Sequence, residues 1–128
     1  VEKIPDHITA EYLRAHPECI FVFGDNTIRK GKGGAATLRD EPNTYGFITK
    51  KYPNNRPESF YKFREYEDVF WREAANFLTT IRNHPDKIFL VSKIGAGLAN
   101  KHNIYEGYIR DWLKMLQHHY PNQVVLLP

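Results

Sequence analysis

The chain offers little to disulfide, metal or membrane chemistry. Its 128 residues include one cysteine, Cys19, so no internal disulfide can form; the thiol opens an apolar run and is expected in the core. No apolar stretch approaches the roughly 20 residues that cross a bilayer. The first residues, "VEKIPDHITAEYL", lack the basic start and apolar middle of a signal peptide, so a cytoplasmic protein is expected. CxxC pairs, HExxH, GxSxG and calcium-loop patterns are missing and the histidines are scattered, so neither a metal nor a cofactor is expected. There is no internal repeat or low-complexity tract.

Charge of one sign is also scarce. The formal net charge is +3, with a pI near 9.0. That falls short of the clustered stripe of a dedicated nucleic-acid binder but suits a small anionic ligand. Arg29, Lys30, Lys32, Lys50 and Lys51 could still form a basic face. Nucleic acid is therefore the weaker alternative partner, and its signature would be affinity that falls steeply with salt.

The chain is long enough for one core, so residues 1–128 are read as a single domain. Residues 9–16 give a short helix capped by Thr9, with Pro17 beyond its end. "CIFVFG", "TYGFIT", "IFLVSKIG" and "QVVLLP" read as strands, the first buried on both faces. Residues 34–41, "GAATLRDE", read as a helix stopped by Pro42. Residues 65–83 carry Tyr66, Phe70, Ala74, Phe77, Leu78 and Ile81 at helical spacing. A last helix spans 103–119, with Asn103 as its cap and Glu106 completing a capping box. Trp71 and Trp112 are expected in the core, as are Tyr45 and Phe47. The alternation predicts an α/β fold with a mostly parallel central sheet and helices on both faces.

Two glycine clusters follow strands and precede helices. One is "GKGG", with Gly31, Gly33 and Gly34; the other is "GAGLANKHN", with Gly95 and Gly97. In parallel sheets ligands bind outside the carboxyl ends of the strands. Glycine lets backbone N–H groups approach a phosphate, and a helix N-terminus adds a favourable dipole, so the pair suggests a diphosphate clamp. "GKGG" fits neither the dinucleotide fingerprint nor an ATP-binding P-loop. Asp25 and Asn26, at a strand end, could bond sugar hydroxyls or form an Asx-turn. Lys50 could reach a phosphate, and His102 is the histidine nearest the loops.

Taken in order, "FVFGDN", "GKGGAATL", "YGFITK", a long helix, "IFLVSKIGAGLA", a helix and "VVLLP" resemble small macrodomain-like proteins. In that superfamily a strand ends in an Asn-containing loop, a glycine-rich segment opens a helix, and a later strand ends in an Ile-Gly-x-Gly type loop. The resemblance implies a three-layer sandwich with a pocket for ADP-ribose or a related NAD-derived nucleotide. It would set Asn26 at the distal ribose, Gly31, Gly33 and Gly34 beside that ribose and the diphosphate, and Gly95, Ala96, Gly97 and Leu98 as the other diphosphate wall. Gly24, Ala35 and Ile94, in the same loops, join Lys50 and His102 as ligand-binding candidates.

The sequence departs from the family pattern in two ways: Gly-Asp-Asn replaces the usual Asn-Ala-Ala-Asn type stretch, and the chain is shorter than most members. Hydrolysis of an ADP-ribosyl bond would need Asn26 to orient the ribose and Asp25 to act as base towards water. A non-catalytic binder that senses or sequesters a nucleotide signal, and a Rossmann-like nucleotide-cleaving enzyme, stay open as alternatives. The "YPNNRPESFYKF" segment has the length and aromatic content of a lid. No sequence feature indicates an oligomeric state.

Overall fold

The four apolar runs form one all-parallel sheet: β1 (Cys19–Asn26), β2 (Thr44–Lys50), β3 (Ile88–Val91) and β4 (Val124–Leu126), in the order β2-β1-β3-β4. The structure, a computed structural model, describes residues 3–128 apart from the side chain of Ala35. Period-two alternation sends Val22, Phe47, Phe89, Val91 and Val124 to one face of the sheet. Cys19, Phe21, Phe23, Leu90 and Leu127 go to the other. The fold is thus α/β with both faces covered. No helix is long and apolar enough to cross a membrane.

The thicker layer is built by α2 (Tyr66–Asn83) and α3 (Arg110–His119). Tyr66, Phe70, Ala74, Phe77 and Ile81 of α2 are buried on one stripe, each large apolar side chain contributing about 1.5–3 kcal/mol. The opposite face is covered by α1 (Ala10–Ala15), whose N-cap Thr9 accepts the Tyr12 N–H at 3.1 Å, and by a 3-10 turn at Gly34–Leu38.

Three expectations are corrected. Residues 34–41 form only that 3-10 turn: Gly34 takes a φ of +53°, and the Thr37 hydroxyl bonds back to the Gly34 and Lys32 carbonyls. Asn103 does not cap the last helix, whose helical residues run unbroken from 104 to 119. Asn103 adopts the left-handed conformation, with φ +60°, after a 3-10 segment at Leu98–His102, and a π-helical turn, Tyr105–Ile109, leads into α3. Asn100 does the capping: its Oδ1 accepts the Tyr105 N–H at 2.9 Å and its amide donates to Glu106. Trp71 is 57% exposed, although Trp112 packs into the core as expected.

β2 is an edge strand, and α2 covers its outward polar groups at Ile48. Ile48 donates its N–H to the buried Glu73 carboxylate at 2.7 Å and accepts from the Tyr66 hydroxyl. Burial, then the nearby Glu73 charge, pushes the Tyr66 phenol well above its ordinary range.

Candidate functional site

The chain leaves β1 towards β2 on one side and returns to β3 on the other. The carboxyl ends of β1 and β3 therefore diverge at a topological switch point, where crevices form in such sheets. A cleft of about 490 Å³ opens there, within the roughly 300–1,000 Å³ of small-molecule sites. It is walled by Gly24, Asp25 and Asn26 from β1, by the 30–36 loop, by Thr49 and Lys50 from β2, and by residues 92–99 after β3. Both glycine clusters thus face one space. A bulge skips Thr49 in the pairing of β1 with β2, which re-aims that side chain at the cleft.

Most of the candidate residues converge. Gly24, Asp25, Asn26, Gly31, Gly33, Gly34, Lys50, Ile94, Gly95, Gly97 and Leu98 all line the cleft. Ala96 and His102 do not: Ala96 is half-buried beside the wall, and His102 is exposed at the end of the 3-10 segment that Asn103 turns away. Ala35 lies outside the residues whose side chains are described. Lys30, Ala36, Thr49, Pro53, Asn55, Ser92, Lys93 and Ala99 complete the lining. For Ser92 and Lys93 the available signal was their place between a strand and a glycine loop.

Asp25 is held as an anchor of the loop. It is buried, and both carboxylate oxygens are occupied. Oδ1 accepts the Asn26 N–H at 2.8 Å and Arg39 Nη2 at 2.6 Å; Oδ2 accepts Arg39 Nη1 at 3.0 Å and Arg29 Nη1 at 3.1 Å. No lone pair is left for water. Arg39 also lies over the Phe23 ring, 5.3 Å from its centroid, and donates to the Gly31 carbonyl at 2.8 Å. Arg29 reaches the Gly46 carbonyl at 2.9 Å and lies 3.8 Å from Glu73. Gly46 is required by this arrangement, since a Cβ there would stand 2.3 Å from Asp25 Oδ2.

Asn26 folds the loop. Its Oδ1 accepts the Ile28 N–H at 3.2 Å, an Asx-turn, and its amide donates to the Lys30 carbonyl at 2.8 Å. Arg29, with φ +55°, and Gly31, with φ +94°, follow in left-handed conformations. Such backbone persists only where its surroundings over-determine it, as the Asp25 and Asn26 bonds do here. Across the cleft, Gly95 takes φ +80°, and a Cβ there would stand 2.6 Å from Ile109 Cδ1.

The positive potential comes from lysines. The segments following the two glycine loops are five-residue 3-10 turns, too short for peptide dipoles to sum appreciably. Lys30, Lys50 and Lys93 line the cleft, and none pairs with a carboxylate among the described residues. The Lys50 ammonium lies 3.2 Å from Asn55 Oδ1 and 5.1 Å from the Phe60 ring centroid, and burial holds it below the ordinary lysine range. The other basic residues considered for nucleic acid are occupied: Arg29 with Asp25, Lys32 with Asp40, Lys51 with Glu65. Among the described residues, no group of three or more His, Cys, Asp or Glu side chains is placed to hold a metal.

A family model described as a family of unknown function, DUF7831, matches residues 3–102. The chain belongs to that family. Every residue lining the cleft falls inside the matched span, whereas α3 and β4 lie beyond it. No curated protein and no solved structure matches the chain.

Proposed function

We propose that the cleft binds a phosphate-bearing nucleotide, with ADP-ribose or a related NAD-derived nucleotide as the ligand class, and does so without hydrolysing it. The observation that carries this reading is the convergence of both glycine loops and three unpaired lysines on one cleft at the switch point. Glycine backbone brings N–H groups close to phosphate oxygens, lysines supply the opposite charge, and exposed Leu98 with Pro53 offers apolar surface to a base or sugar. Binding is favoured over turnover because Asp25, the one carboxylate lining the cleft among the described residues, is committed to two arginines and the Asn26 N–H. A cytoplasmic setting fits a ligand of this class.

Calorimetric titration with ADP-ribose, AMP and NAD in one buffer tests the proposal. Micromolar binding that favours ADP-ribose is expected, with no product after prolonged incubation. An absence of heat with all three would overturn it, and release of free ribose-containing product would restore a hydrolytic role.

A further inference from the structure

Beside the cleft, two ammonium groups share one ring. Lys50 Nζ and Lys101 Nζ each lie 5.1 Å from the centroid of Phe60, which is itself buried. They are therefore at most about 10 Å apart. Neither pairs with a carboxylate among the described residues. Phe60 is fixed from below: Lys50 and Phe60 form a β-bridge, and the Lys51 N–H donates to the Ser59 carbonyl at 2.8 Å. The ring's quadrupole attracts both cations, and a phosphoryl group between them would supply the opposite charge that neither has.

The charge balance of the cleft points the same way. Asp25 and Glu73 are matched by Arg29 and Arg39, which leaves Lys30, Lys50 and Lys93 without a carboxylate partner among the described residues, while Lys101 adds a fourth charge over the ring that Lys50 also meets. A diphosphate diester carries one charge per phosphate. A terminal phosphomonoester adds roughly −1.5 to −2 near neutral pH, together with three strong acceptor oxygens.

We propose that Lys50 and Lys101, seated on Phe60, form a position for a terminal phosphomonoester, so that the ligand carries such a group in addition to the phosphate held at the glycine loops. This deepens the nucleotide reading above and rests on it. Lys50 is the inner member, steadied by Asn55, and Lys101 closes from the 3-10 segment after the second glycine loop.

The test compares ADP with ADP-ribose, which share the diphosphate and differ in ending on a phosphomonoester or on a ribosyl ester. Each is titrated calorimetrically into the wild type, Lys101→Ala and Lys101→Arg. Lys101→Ala is expected to weaken ADP by roughly 3- to 10-fold, at least threefold more than it weakens ADP-ribose, with Lys101→Arg restoring most of the loss. Equal losses for the two ligands, or binding of ADP-ribose with none of ADP, would overturn the phosphomonoester position while leaving the cleft a nucleotide site. Binding of neither ligand to the wild type would overturn both.

Discussion

Replacing Asp25 by Asn separates an anchor from a base more sharply than any other single change. The side chain keeps its shape, so the effect is electrostatic. An asparagine oxygen at the Oδ1 position can retain the Asn26 N–H and Arg39 Nη2, but its amide group would face Arg39 Nη1 and Arg29 Nη1, donor against donor. Breaking a buried pair from one side costs about 3–5 kcal/mol. Arg29 is half-exposed and can turn to water, which lowers the expectation to about 2–4 kcal/mol. At about 3–5 °C per kcal/mol for a domain of this size, Tm should fall by roughly 10 °C in differential scanning calorimetry. Nucleotide affinity should fall with it, because the same carboxylate holds the loop that carries Gly31. The double variant Asp25→Asn with Arg39→Gln should lose less than the sum of the two single changes, a coupling of about 1–2 kcal/mol. A Tm within 2 °C of wild type, with affinity retained and a catalytic activity lost, would refute the anchor and reinstate the base.

Three further outcomes follow from the geometry. Gly46→Ala should destabilise by about 1–3 kcal/mol, since its Cβ would displace the Asp25 carboxylate; a chemical-denaturation midpoint equal to wild type would show that the network gives way freely. Gly95→Ala should weaken ligand binding more than it weakens folding, because φ +80° and the Ile109 contact both push the second loop off its path; unchanged affinity would separate that loop from the ligand. Burial lowers the Lys50 pKa, so the folded state releases this proton before the unfolded chain does. Stability should therefore rise as pH climbs from the folded pKa towards the unfolded one, while affinity for phosphate falls over the same window. Lys50→Gln should flatten both trends, and an unaltered pH profile would exclude Lys50 from the site.

The sequence announced strands and the long helix well, because "CIFVF" and the 65–83 stripe carry apolar periodicity that no other packing satisfies. It announced the glycine loops for the same local reason, that a cluster such as "GKGG" is costly unless backbone must turn or approach something. What it could not show were the partners that side chains find once the chain has folded. Asp25 reads as a free carboxylate until Arg39, fourteen residues on, folds back onto it. Asn103 looks like a cap until Asn100 takes the Tyr105 N–H. The Gly34 segment has helix-forming residues, yet Arg39 is drawn to Asp25 and Gly31, and the turn ends after five residues. Trp71 falls near an apolar stripe but on the solvent side of α2, a distinction of one position that a helical period resolves poorly.

These long-range bonds also explain how a cleft rich in glycine and lysine can be ready for a ligand. Flexible loops bearing like charges would open to relieve repulsion, and ordering them on binding would cost affinity. Here the first loop is fixed by a carboxylate with four donors and by an asparagine that bonds at both ends, while Gly95 is seated against Ile109. The acidic group placed to neutralise the lysines is spent on Arg29 and Arg39 instead. Lys30, Lys50 and Lys93 are consequently left facing one space without compensation. Because the Asp25 network both rigidifies the first loop and withholds the one carboxylate that lines the cleft among the described residues, its removal should alter phosphate affinity and loop order together, whereas loss of a single lysine should alter affinity alone.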